Sequence, residues 1–189
     1  MGALDNNEAF ALIGQAAAGD RHAQHRLVKH LQRRVQSIAL SILGNALDAE
    51  DTTQIILMEI LKSAGSFRGE NFQAWSDRIA ARTAVRHARQ RRIRGLRFES
   101  TDTLDDLPLP THTFDSDLPR DLVDYLSQLP ETRRVAVVLR HVMDYSIEEI
   151  ADLTECSPNT VKDRLLQGRG QLRRLIRRDR AIGASGETS

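Results

Sequence analysis

Residues 146–161 read SIEEIADLTECSPNTV. Ser146 and Glu149 stand at capping-box spacing: the serine hydroxyl accepts from the N3 amide while the glutamate reaches back to the N-cap amide, so a helix begins there. Ser157 is a second N-cap, and Pro158 takes the first helical position, where its missing N–H costs nothing. Two capped helices joined by Thr154-Glu155-Cys156 predict a helix-turn-helix, a motif whose second helix can lie in the major groove of DNA.

At 100° per residue the second helix sorts into two faces. Val161, Leu165 and Leu172 share one side, expected to bury against Ile150 and Leu153. Asn159, Lys162, Asp163 and Leu166 occupy the other, with Gln167 at its margin. Such polar groups can hydrogen-bond base edges, and a leucine can meet a thymine methyl. Arg169, Arg173, Arg174, Arg177 and Arg178 continue the helix and suit phosphate contact, which adds affinity but little specificity. A plain helical hairpin with a solvated polar face would also fit the spacing; the outward Leu166 and the arginine-rich extension argue against it. Gly168 and Gly170, costly in a helix interior, either permit a close backbone approach or simply weaken the helix.

Outward from this motif the whole chain reads as all-α. Helices are expected at about 120–128, 131–143, 147–153 and 158–178, with Pro130 dividing the first pair. Residues 96–119, LRFESTDTLDDLPLPTHTFDSDLP, hold three prolines and no sustained period, the marks of a linker. Before it, four more helices follow from the 3.6-residue period. Phe10, Ile13 and Ala17 mark the first. The second, capped by Asp20 and stopped at Gly44, carries Leu27, Leu31, Ile38 and Ile42. The third, capped by Asp48, carries Ile55, Ile56, Ile60 and Leu61, and the fourth runs from about Phe72 to Ile93. The organisation is thus an N-terminal bundle (1–95), an acidic linker (96–119), a helix-turn-helix bundle (120–180) and an unstructured tail (181–189).

Charge follows the same division. The chain of 189 residues is nearly neutral at +1. Residues 1–95 carry 14 Lys/Arg against 9 Asp/Glu, residues 96–119 one against six, and residues 120–180 twelve against ten. Two basic blocks around an acidic strap suit two modules on one polyanion. The densest block is Arg82–Arg94, RTAVRHARQRRIR, with no acid in it. Arg78, Arg82, Arg86 and Arg89 form a ridge suited to a phosphate backbone, and Ala80, Ala81, Ala84 and Ala88 form a back on which another helix can pack closely. Upstream, Phe67, Phe72 and Trp75 flank the loop Arg68–Asn71. They could stack unpaired bases, but the i, i+3 spacing of Phe72 and Trp75 fits core packing at least as well.

Other classes find little support. Aromatics at 4% suit helical bundles better than a sandwich. One cysteine, Cys156, excludes an internal disulfide and points to a reducing cytosol. The start MGALDNNEAF has neither a basic region nor an apolar core of a signal peptide, and no apolar run reaches the roughly 18 residues of a membrane span; a cytoplasmic location without membrane insertion is expected. Six scattered histidines offer no metal site, His22-x-x-His25 lacking companion ligands. No nucleophile elbow or phosphate loop appears. Neither an enzyme nor a cofactor is expected.

Leu47-Asp-Ala-Glu-Asp-Thr-Thr-Gln54, then Phe67-Arg-Gly-Glu70, Phe72, Trp75 and Arg78-Ile-Ala80, resembles region two of ECF sigma factors of bacterial RNA polymerase. Leu126-Ser-Gln-Leu-Pro130, Tyr145-Ser-Ile-Glu-Glu-Ile-Ala151 and Thr160-Val-Lys162 resembles their region four. The resemblance covers about residues 8–94 and 118–178, in order. It implies promoter-specific initiation with core RNA polymerase. Region four would read the minus-thirty-five element through Asn159, Thr160, Lys162, Asp163, Leu166 and Gln167, with Arg169 and Arg173 on phosphates. Region two would hold the minus-ten element with Arg68, Glu70, Asn71, Trp75, Arg78, Arg82, Arg86 and Arg89, around an everted base. Asp51, Gln54 and Met58 would dock on the clamp helices of the largest polymerase subunit, and the flap would be a second polymerase contact; by residue type alone this face fits ordinary helix surface equally well. An anti-sigma factor is a further partner that the resemblance allows. The linker of ~24 residues spans up to about 80 Å, against ~70 Å for two turns of DNA.

The sequence departs from the family pattern at four places. Ile55 stands where an acid is common, the loop before Phe72 is one residue short, Arg82 replaces an asparagine, and Glu155 replaces the turn glycine. Two other functions fit parts of the chain: a sigma-like decoy that occupies an anti-sigma factor, and a dimeric helix-turn-helix regulator. The ridge and recognition helix disfavour the decoy, which needs no DNA.

Overall fold

The computed structural model describes residues 6–68, 71–98 and 120–186. Among them eight α-helices run in the order α1 (Asn6–Ala17), α2 (Arg21–Leu43), α3 (Ala46–Ser63), α4 (Phe72–Phe98), α5 (Arg120–Ser127), α6 (Glu131–His141), α7 (Ile147–Thr154) and α8 (Pro158–Gly186). A 3₁₀ turn at Ala64–Ser66 follows α3, and there is no strand among the described residues. Residues 99–119 of the linker expected at 96–119, and the loop residue Glu70, lie outside the described residues.

Helix α2 is the spine of the N-terminal module. Asp20 caps it, accepting from the amides of His22 and Ala23, and Gly44 ends it at φ 72°. Its apolar stripe of Leu27, Leu31, Val35, Ala39 and Ile42 is buried, each large aliphatic contributing roughly 1.5–3 kcal/mol. Against it pack α1, α3 and α4. The alanine back of α4 behaves as its spacing predicts: Ala80, Ala81, Ala84 and Ala88 are buried. In the C-terminal module α6, α7 and α8 close around Val135, Val138, Leu139, Ile150, Val161 and Leu165, all buried.

Four expectations need correction. The buried face of α1 is Ala9, Leu12, Ile13 and Ala16, while Phe10 and Ala17 are exposed; in so alanine-rich a helix the polar contrast that fixes a face is weak. Asn45, not Asp48, caps α3, its side-chain oxygen accepting from the Asp48 amide at 2.9 Å; Asp48 sits inside the first turn. Ile55 lies on the outer face of α3, not in its core. Helix α4 continues to Phe98, past the expected boundary at 95, and α8 to Gly186, where a tail was expected from Ala181. No proline falls within either extension, and Gly95 and Gly183, the residues that could have ended them, lie inside the helical spans.

The two modules touch. Helix α6 packs on α2, and α7 on α4.

Candidate nucleic-acid interface

The turn between α7 and α8 is built by caps. Ser146 Oγ accepts from the Glu149 amide at 3.1 Å, and Glu149 Oε2 accepts from the Ser146 amide at 2.8 Å, completing the box. Together with the Ser146 hydroxyl and the Arg78 guanidinium, that amide holds the Glu149 carboxyl below its ordinary value. Glu155 ends α7 in the left-handed region, φ 51°, its amide donating to Ala151 and Asp152 carbonyls. This is the strained turn that replacing glycine implies. Ser157 Oγ accepts from the Thr160 amide at 3.1 Å, starting α8.

Helix α8 then presents the two predicted faces. Val161 and Leu165 are buried, and Leu172 is partly so. Asn159, Lys162, Asp163, Leu166, Gln167, Arg169 and Arg173 are exposed, Leu166 at 65%. Thr160 differs: it is half-buried and its hydroxyl lies 2.9 Å from that of Ser157, so it serves the cap. Gly168 permits the close approach raised above, since a Cβ there would come within 2.8 Å of Val137 Cγ2; around Gly170 there is open space.

On α4 the ridge residues Arg78, Arg82 and Arg86 are exposed and Arg89 is half-buried. The ridge is not wholly free. Arg86 pairs with Glu59 of α3, which also accepts from Thr83, and Arg89 pairs with Glu155 of the other module. At the head of α4, Asn71 is a cap, its side chain accepting from the Ala74 amide at 2.9 Å. Arg68 folds back, donating at 2.8 Å to the carbonyls of Gly65 and Phe67. Trp75, half-buried, stands 5.2 Å from Phe67 and 5.8 Å from Phe72, ring to ring. Phe67 and Phe72 are buried, so they form the wall of the cluster rather than its open face. Phe10, which the sequence pattern placed in the core, joins the cluster 5.9 Å from Phe67 and is 58% exposed.

The third surface is the outer face of α3. Asp51, Gln54 and Met58 are all exposed on it, with Leu47 and Ile55 between and beside them. This leaves Leu47 at 72%, Met58 at 56% and Ile55 at 41% exposure on one stripe. Among the described residues no group of three or more metal-binding side chains assembles, and no helix is long and apolar enough to cross a membrane.

The sequence matches the family described as Sigma-70 region 2 over residues 27–93 and Sigma-70, region 4 over residues 120–172. It is 31% identical over 183 residues to the ECF RNA polymerase sigma-E factor of Escherichia coli K12, covering 88% of this chain and 95% of that one. The chain is an ECF sigma factor of the sigma-70 family. The RNA polymerase sigma-H factor of Pseudomonas aeruginosa is 29% identical to it over 178 residues, covering 88% and 92% of the two chains. The fold of this sigma factor is also that of solved structures. One is the sigma factor RpoE in complex with the anti-sigma factor NepR from Bartonella quintana, with a TM-score of 0.54, 23% identity, and 81% and 96% of the chains covered. Another is CnrH in complex with the cytosolic domain of CnrY, with a TM-score of 0.50, 22% identity, and 90% and 97% covered.

Proposed function

We propose that this sigma factor binds core RNA polymerase through α3, holds the minus-ten element on α4, and reads the minus-thirty-five element with α8. The single observation that carries the reading is the division of α8. A buried apolar face fixes the helix, so that Asn159, Lys162, Asp163, Leu166 and Gln167 project together from a rigid support. Asn and Lys can donate to purine edges, Asp163 can accept from a cytosine amine, and Leu166 offers apolar contact to a thymine methyl. Arg169 and Arg173, one and two turns further on, supply phosphate contacts that set register.

On α4, Arg78 and Arg82 offer charge to the backbone beside the aromatic cluster, whose partly open member is Trp75. Stacking there would hold an extruded base, offsetting the few kcal/mol that extrusion costs. Asn71 and Arg68 shape the loop through their backbone bonds. The exposed stripe of Leu47, Ile55 and Met58, edged by Asp51 and Gln54, is the surface offered to polymerase. Ile55 extends its apolar area.

Purified chain added to core polymerase tests this directly. Promoter-specific transcripts from a genomic template are expected, and their sequences would reveal both elements. Binding of neither core nor DNA would overturn the proposal in favour of a decoy, and DNA binding without core binding would do so in favour of a free-standing regulator.

A further inference from the structure

We infer that Phe10 of α1 is a second stacking platform for the unpaired minus-ten strand, beside Trp75, and that Gly14 leaves its ring uncovered. The inference deepens the minus-ten reading given above and rests on it.

Phe67 is the hub of the aromatic cluster. It is buried, and three rings meet it: Phe10 at 5.9 Å, Phe72 at 6.0 Å and Trp75 at 5.2 Å, centroid to centroid. Phe72 is buried as well, so solvent reaches the cluster at Phe10 and Trp75. Both touch the same hub and stand within two ring spacings of each other, close enough for bases of one strand to meet both.

One exposed phenylalanine on a helix is ordinary in itself. Two features of α1 set Phe10 apart. The first is its support. Ala9, Leu12, Ile13 and Ala16 are buried, which fixes the helix. Helix α1 also packs on the 3₁₀ turn at Ala64–Ser66, where a Cβ on Gly65 would stand 3.9 Å from Ala17 Cβ. Phe10 is therefore carried on a fixed element at the entry to the Arg68–Asn71 loop.

The second feature is Gly14, one turn further along the same face of α1. Helical side chains lean toward the N-terminus, so any side chain at position 14 would lie over the ring at position 10. Glycine is, after proline, the poorest residue for a helix interior. Yet a Cβ at Gly14 would meet nothing within 4 Å. Packing makes no demand for glycine here; what its absent side chain leaves is a bare aromatic face.

The surroundings of the ring select its occupant. Arg68 is exposed, and its Nη1 donates to the Gly65 and Phe67 carbonyls at 2.8 Å, which sets a positive charge beside the hub. An open ring next to a cation suits a base and its phosphate, whereas a purely apolar partner would bury that charge unpaired. Stacking tolerates every base, so Phe10 adds affinity for the melted strand and leaves base selection to other residues.

The test uses holoenzyme, the full chain with core polymerase. The probe is a fluorescein-labelled single strand carrying the non-template minus-ten element of a promoter that the wild type transcribes. Phe10→Ala should weaken strand binding about fivefold or more. Phe10→Leu should weaken it nearly as much, because leucine keeps apolar volume against Phe67 but has no ring face, while Phe10→Tyr should stay within about twofold of wild type. Gly14→Leu should melt at a higher temperature than wild type and yet bind the strand more weakly. Wild-type binding by Phe10→Leu would make Phe10 a mere brace for Phe67 and overturn the inference. Unchanged binding by Gly14→Leu would overturn the role given to the glycine. Trp75→Ala is the reference. If it weakens strand binding and Phe10→Ala does not, the inference alone is overturned; if neither does, the minus-ten reading falls with it.

Discussion

Gly168 of α8 lies against Val137 of α6 so closely that a Cβ would come within 2.8 Å of Val137 Cγ2, with the Arg133 carbonyl 3.5 Å away. Val137 is buried and β-branched, with little rotamer freedom to yield. Gly168→Ala gains about 1 kcal/mol of helix propensity but overpacks a tight contact at about 1–3 kcal/mol. A net loss of stability is expected. Gly170 meets nothing within 4 Å, so Gly170→Ala should keep the propensity gain and stabilise by up to about 1 kcal/mol. Denaturant melts of the two variants check the opposite signs; two stabilised proteins would refute the close approach.

The capping box makes the start of α7 sensitive to acid. Glu149 is held below its ordinary value of 4.5, chiefly by the Ser146 amide, then by the Ser146 hydroxyl, with Arg78 adding to both. A depressed folded-state pKa stabilises the fold above the unfolded value, and that contribution disappears as pH falls through the folded one. Wild type should therefore lose stability from about pH 4.5 downward, and Glu149→Gln should show a shallower acid limb. Ser146→Ala should cost about 1 kcal/mol at neutral pH. Unfolding free energies measured across this range give both results; identical acid limbs for wild type and Glu149→Gln would count against the box.

Contacts assigned to α8 divide into two kinds with different signatures. Asn159→Ala should cost about 1–3 kcal/mol on the preferred duplex and relax selectivity at one base position. Arg173→Ala should weaken all duplexes alike and lower the slope of log affinity against log salt by about one. Anisotropy titrations on the selected promoter and its single-base variants separate them. A salt slope unchanged by Arg173→Ala would remove that residue from the phosphate contacts.

The legible parts of this molecule are the local ones. Asp20, Gly44, Ser146 with Glu149, and Ser157 with Pro158 act within four residues, and each bounds its helix where the sequence placed it. The two faces of α8 were legible because leucine and valine alternate there with strongly polar types. What could not be read joins residues far apart in the chain. Arg134 reaches Leu43 across 91 positions, and Arg91 reaches Asp48 across 43. One arginine among many in an α6 or α4 pattern carries no mark of its partner. The face of α1 was missed for a different reason, since a helix of Phe, Leu, Ile and many alanines offers apolar residues on every side. Phe10 thereby turned outward and onto the aromatic cluster. Gly44 shows the limit most plainly: its helix-ending role is visible in the sequence, but its second role, leaving room for Arg134, needs the fold.

The stripe on α3 gives the last expectation. Leu47, Ile55 and Met58 leave large apolar side chains exposed along one face of a helix whose opposite side, with Ile56, Leu57 and Ile60, is buried. Large exposed apolar side chains along one face mark interaction surface rather than random exposure. If polymerase covers them, Met58 loses its exposed area on binding and its removal costs transfer free energy. Met58→Ala should weaken core binding by about 1–2 kcal/mol, and Met58→Glu by more, because a carboxylate would then be buried without a partner. Helicity and binding of the isolated chain to minus-thirty-five duplex should be unaffected, since neither α8 nor the core is touched. Competition against a labelled sigma factor for core polymerase reads the affinity. Full competition by Met58→Glu would place the polymerase contact elsewhere and free this stripe for another partner.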